Sequence, residues 1–104
     1  MTYTLRFLPE VEDDAIAAYR WYEEKSPGLG EDFLRMFFAS AAEIPRTPFL
    51  YAEVHSQFRR RLLRRFPYAI YYRVKKNEVI IWGLFHCARD PKTIRDQLRD
   101  RSQP

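Results

Sequence analysis

The chain has 104 residues, with 18 Lys and Arg against 14 Asp and Glu for a formal net charge of +4, 46% hydrophobic and 31% charged. That length supports one domain over residues 1–104 with a single core, and the mixture excludes a disordered chain. It also excludes a membrane span, because the longest apolar run, residues 79–85, is far too short.

The charge is unevenly placed. Residues 1–52 hold 5 Lys/Arg against 9 Asp/Glu, and residues 53–104 hold 13 against 5. An acidic first half and a basic second half suit the second half to a polyanion or an acidic protein partner. A single cysteine, Cys87, permits no internal disulfide and no thiolate pair for zinc. The opening residues lack a basic segment followed by an apolar one, so a cytoplasmic protein without metal or cofactor is expected.

In chain order, residues 2–8 alternate Tyr3, Leu5 and Phe7 with polar neighbours, the period of a strand with one buried face. Pro9 and the acids Glu10, Glu12, Asp13 and Asp14 open a helix, and Val11, Ala15, Ala18, Tyr19 and Tyr22 form its apolar stripe. Residues 26–30, Ser-Pro-Gly-Leu-Gly, form a turn in which both glycines supply unusual φ angles. A second helix begins at Glu31 and Asp32 and carries Phe33, Met36, Phe37, Ala41 and Ile44 inward until Pro45. Residues 46–57 show no period and are expected as a surface loop. Strands follow over 58–64, 68–74 and 78–87, separated by Pro67 and by Lys75-Lys76-Asn77. In the last strand Val79, Ile81 and Phe85 oppose Ile80, Trp82 and Leu84, which predicts a central strand covered on both sides, with half-exposed neighbours. Residues 92–101 predict a short charged helix around Ile94 and Leu98, and 102–104 a frayed tail. The fold class is α+β: strand, two-helix hairpin, three-stranded antiparallel meander and C-terminal helix.

Candidate chemistry concentrates in residues 58–91. Arg59, Arg60, Arg61, Arg64 and Arg65 cannot all be buried unpaired, so the run reads either as a charge-protected edge strand or as a docking surface for an acidic peptide or nucleic acid. Alternation assigns Arg59, Arg61 and Arg65 to one face and Arg60 and Arg64 to the other. Tyr68, Tyr71 and Tyr72 suit base stacking or ordinary strand packing. His86, at a strand end, has Arg89 three residues on and Tyr68 starting the adjacent strand. Imidazole, guanidinium and phenol together are competent to cleave RNA through its 2′-hydroxyl. The plainer alternative is a locally bonded His86 with Arg89 paired to Asp90 or Asp96. Cys87 is expected as a small buried hydrophobe. The acids on the helices are explained by helix-end charge, and His55 and His86 have no neighbours at metal-ligand spacing.

Three segments carry a resemblance: YEEKSPGLGEDF (22–33), RFPYAIYYRV (65–74) and FHCARDP (85–91). In this order, on this succession of elements, they resemble the RelE/ParE toxin superfamily and most closely its ParE-like, plasmid-stabilisation branch, over nearly the whole chain. The resemblance implies a growth-inhibiting toxin of a type II toxin-antitoxin system, held inactive by a cognate antitoxin whose C-terminal segment wraps the toxin's helices and sheet. ParE-type members poison DNA gyrase; RelE-type members cut messenger RNA on the ribosome. RNA-cleaving relatives carry Arg where this chain has Tyr68 and Tyr where it has Cys87, although His86 matches a strand-end histidine of some of them. A non-nuclease, gyrase-directed toxin is therefore expected, gripping target or antitoxin through Arg59, Arg60, Arg61, Arg64, Arg65 and Arg89. The alternatives are a ribosome-dependent endoribonuclease using His86, Arg89 and Tyr68, with Arg64 or Arg65, and an inactive relative that only binds its antitoxin.

Overall fold

The computed structural model describes residues 2–101, so the expected frayed tail at 102–104 lies outside the described residues. The elements are β1 (Thr4–Phe7), α1 (Pro9–Lys25), α2 (Leu29–Glu43) with a 3-10 turn at Ile44–Arg46, β2 (Glu53–His55), β3 (Phe58–Leu62), β4 (Tyr68–Lys75), β5 (Glu78–His86) and α3 (Pro91–Arg101). They build a five-stranded sheet in the order β1-β5-β4-β3-β2, parallel between β1 and β5 and antiparallel elsewhere.

The helical hairpin covers one face and α3 the other. Val11, Ala15, Ala18 and Tyr22 recur at helical spacing and face Phe33, Phe37, Ala41 and Ile44 over Ile70, Tyr72, Val79 and Ile81. Tyr22, Phe33 and Phe66 interlock at centroid separations of 4.9–5.3 Å. On the opposite face Ile94 and Leu98 of α3 cover Phe58, Ala69, Tyr71, Ile80, Trp82 and Phe85. Because both faces are covered, β4 is buried from Ala69 to Tyr72 rather than half exposed as its alternation predicts.

The hairpin turn divides its glycines between two tasks. Gly28 takes φ of +88°, which L side chains rarely adopt. Gly30 instead lies inside α2, where a Cβ would meet the Tyr19 backbone at 2.7 Å. It serves the close approach of the two helices, and α2 accordingly starts at Leu29 instead of Glu31. Glu23 of α1 accepts the N–H groups of Gly28 and Gly30, each at 3.0 Å, and so satisfies the start of α2.

β2 lies within the stretch expected as a loop. It has three residues and an exposed Val54, too short for a visible period, and it pairs with β3 through a turn whose Ser56 and Gln57 both have positive φ. Such two-residue reversals ordinarily announce themselves as Asn-Gly or Asp-Gly. One consequence is that β3 is not an edge strand.

A bulge in β5 redirects the sheet's end. Tyr72 pairs with Ile81 and Tyr71 with Gly83, leaving Trp82 as the additional residue. Leu84 therefore joins Val79 and Ile81 on the hairpin face, while Phe85 joins Ile80 and Trp82 beneath α3, the reverse of strict alternation.

Candidate functional site

The bulge decides where His86 points. By restoring register beyond Trp82 it turns His86 to the hairpin face, opposite its strand partner Tyr68, with ring centroids 5.1 Å apart. Both line a cleft of about 410 Å³ between α1 and the ends of β4 and β5, with Asp13, Asp14, Trp21 and Arg89 around it. The three residues read from the sequence as a polar cluster are thus brought together.

Their chemistry is more constrained than their proximity suggests. The Ala88 N–H donates to His86 Nδ1 at 2.9 Å, so the ring proton lies on Nε2 and the imidazole offers a donor to the cleft. Burial pushes the Tyr68 phenol upward, partly opposed by the charge of Arg89, so it too remains a donor at neutral pH. Arg89 stacks over Phe85 at 5.2 Å and donates to Gln97 Oε1 at 3.1 Å, rather than pairing with Asp90 or Asp96. Asp90 instead accepts the Lys92 N–H at 2.9 Å at the start of α3. Asp14 accepts the Leu84 N–H at 3.1 Å and a two-pronged bond from Arg101 at 2.6 and 2.7 Å. That leaves the carboxylate of Asp13 as the uncommitted acceptor among the described lining residues. Cys87 is exposed, not buried, because β5 ends at His86 and the next residue lies in the turn, its N–H donating to Pro67 O at 2.8 Å.

The arginine run is not one cationic face. Arg61 is buried, donating to Ser40 O and to Glu43 Oε1 at 2.5 Å each, and this bond and charge hold the Glu43 carboxyl below its usual range. Arg59 donates to Tyr51 O at 2.8 Å and lies over the Phe49 ring. Arg65 adopts positive φ beyond the end of β3, 3.9 Å from Asp32. Of the run's five arginines, Arg59 and Arg61 are therefore committed within the fold, while Arg65 is exposed beside Asp32. The side chains of Arg60 and Arg64 are exposed and make no hydrogen bond or ion pair among the described residues.

A second concavity lies beside the helical hairpin, where a two-helix hairpin can offer apolar anchors to a partner. On the outer side of the hairpin a groove of about 480 Å³ is lined by Phe7, Ile16, Leu34, Phe37 and Phe38 with Glu12. Phe7, Ile16 and Phe38 are 37%, 38% and 52% exposed. The available signal was that Ile16 and Phe38 are apolar yet lie off the inward stripes of their helices.

A model of the ParE toxin of the type II toxin-antitoxin system parDE matches residues 5–91. The chain belongs to the ParE toxin family. It is 27% identical over 103 residues to the toxin ParE2 of Mycobacterium tuberculosis, covering 98% of each chain. Its fold is similar to a structure of the chromosomal ParDE system from P. aeruginosa, with a TM-score of 0.75, 18% identity, and coverage of 82% of this chain and 96% of that one. It is also similar to an E. coli RelE toxin variant in the free state, with a TM-score of 0.61, 15% identity, and coverage of 99% and 100%.

As a ParE-type toxin of a type II toxin-antitoxin system, the protein has a cognate antitoxin implied by its family. An exposed apolar groove beside a mixed-charge surface is the kind of feature that marks a protein contact on a small domain. Among the described residues no helix is long and apolar enough to cross a membrane, and no group of three or more His, Cys, Asp or Glu is placed to hold a metal ion.

Proposed function

We propose that this toxin acts in the cytoplasm on DNA gyrase, and that its antitoxin silences it by laying an amphipathic segment into the groove between α1 and α2. The family match over residues 5–91 carries the target, since it draws the chain toward the ParE branch. The groove supports the mode of neutralisation. Phe7, Ile16 and Phe38 supply anchors at its mouth, and a helix with apolar residues at i, i+3 and i+7 fills such a channel. The exposed guanidinium groups of Arg60, Arg64, Arg65 and Arg89 remain available for target or antitoxin, while Arg59 and Arg61 act as scaffold. Purified toxin is expected to block supercoiling by gyrase. Unimpaired supercoiling at saturating toxin, in a host whose growth the toxin still arrests, rejects gyrase as the target.

One observation favours a second reading, cleavage of messenger RNA on the ribosome: Tyr68, His86 and Arg89 share a cleft. In that reaction the 2′-oxygen would bond to phosphorus as the P–O5′ bond breaks: Arg89 and His86 Nε2–H would steady the phosphate, and the Tyr68 phenol would give its proton to the leaving 5′-oxygen. Asp13 would have to accept the proton of the attacking 2′-hydroxyl. His86→Ala is expected to leave toxicity unchanged if gyrase is the target. Loss of toxicity with folding and antitoxin binding intact transfers the activity to this cleft.

A further inference from the structure

On the face of the sheet away from the hairpin, α3 and the β2–β3 turn enclose a depression of about 370 Å³. His55, Ser56, Arg73, Arg95, Asp96 and Arg99 line it. Three guanidinium groups thus outnumber the carboxylates near them, Asp96 and Asp100, both of which are taken up by Arg99 at 3.4 and 3.5 Å. Arg73 is held in place: it donates to Gln57 Oε1 at 2.7 Å and lies over the rings of Phe58 and Trp82 at 5.4 and 5.5 Å. The Arg95 side chain is exposed and makes no hydrogen bond or ion pair among the described residues. Its charge nevertheless reaches His55, whose imidazole is pushed below its ordinary range first by burial and then by Arg95. Arg60 extends the patch, since it shares a strand face with Phe58 and is paired in register with Tyr71, both packed beneath α3.

From this arrangement we infer that the α3 face binds the phosphate backbone of nucleic acid, with Arg73, Arg95 and Arg99 as the central contacts and Arg60 at the margin. Guanidinium, imidazole and serine hydroxyl are the groups that position proteins on phosphodiesters. The surface lacks what an acidic protein partner would need. Apart from Val54, the exposed large apolar side chains among the described residues lie elsewhere: Phe7, Ile16 and Phe38 at the hairpin groove, Trp21 at the cleft of Tyr68 and His86, Phe49 and Leu50 in the loop before β2, and Leu62 at the opposite end of β3 from the depression. Protein interfaces are held chiefly by buried apolar anchors, whereas phosphate contacts require only placed cations. The Arg73 guanidinium, fixed by two rings and an amide, loses little freedom on binding. The inference extends beyond the gyrase reading and holds whether or not gyrase is the target.

Fluorescence anisotropy of a labelled mixed-sequence DNA duplex, titrated with the full chain at several salt concentrations, tests it. Binding is expected to weaken linearly in log–log form, with a slope of roughly −0.9 for each phosphate engaged. Arg95→Gln, at an exposed position, should weaken binding several-fold and reduce the slope by about one. Arg20→Gln, on the exposed side of α1, serves as the control for loss of net charge, and circular dichroism confirms that both variants are folded. Absence of salt-dependent binding at low ionic strength, or equal losses in the two variants, overturns the proposal. So does displacement of the DNA by polyglutamate at equal charge concentration, which assigns the patch to an acidic protein.

Discussion

The two faces of the sheet differ in both chemistry and provenance. The hairpin face comes from the acidic first half of the chain and leaves an apolar groove open, whereas the α3 face comes from the basic second half and leaves arginines open. Apolar surface is recognised by shape and dehydration, and cationic surface by counter-charge. The sheet keeps the two surfaces apart, so the two proposed contacts do not compete for the same residues.

The faces are joined by a nearly buried ion pair, and cutting it should have the largest effect on stability. Arg101 of α3 reaches across the edge of β5, beyond the end of β1, to Asp14 of α1, donating on the way to Trp82 O at 3.0 Å, and both side chains are nearly buried. A Cβ on Gly83 would approach the same guanidinium at 3.2 Å. Asp14→Ala strands this charge and the Leu84 N–H together, and is expected to cost about 3 kcal/mol in urea unfolding. A loss under about 1 kcal/mol would mean that the faces are held by their apolar cores alone.

The next effect is confined to the hairpin face. The Tyr72 hydroxyl is buried and donates to Pro48 O at 2.6 Å, anchoring the loop that leads to β2. Tyr72→Phe should cost about 1–2 kcal/mol, read as a shift of the urea midpoint. Burial also pushes this phenol up to about 12 from its ordinary value near 10. Its folded value is the higher one, so its stabilisation is complete below pH 10 and is lost as pH rises toward 12; the Phe variant should lack that alkaline component.

The smallest stability effect should accompany the sharpest separation of function. Phe38→Ser removes a half-exposed ring from the groove and should change unfolding free energy by no more than about 0.5 kcal/mol, while weakening antitoxin binding about tenfold in calorimetry. Arg95→Gln should leave antitoxin binding unchanged. If the two variants behave alike, the faces are not functionally distinct.

What could be read from residues alone follows from how local each signal is. The stripes on α1 and α2, the buried run of β5 and the Ile94–Leu98 pair of α3 are periodicities within one element, and they appear where expected. The β2 strand, the Trp82 bulge and the parallel pairing of β1 with β5 depend on neighbours distant in sequence, so no local period announces them. The site suffered most from this. Alternation correctly puts Arg59 and Arg61 on one face, but it cannot reveal that Ser40 and Glu43 await Arg61 there, or that the strand ends at Leu62 before reaching Arg64 and Arg65. His86, Tyr68 and Arg89 were found as a cluster, yet their cleft walls, Asp13, Asp14 and Trp21, come from α1 and carry no mark in the sequence around His86. Arg73 and Arg95 each stand apart from the dense arginine run, so no local pattern marks them.

The separation of the two faces is tested most directly by amide hydrogen exchange on the toxin in complex with its antitoxin. Protection should rise in α1 and α2 along residues 12–19 and 34–38, with α3 and the β2–β3 turn exchanging as in the free toxin. Protection concentrated on α3 and β3, with the hairpin groove unchanged, would contradict the account.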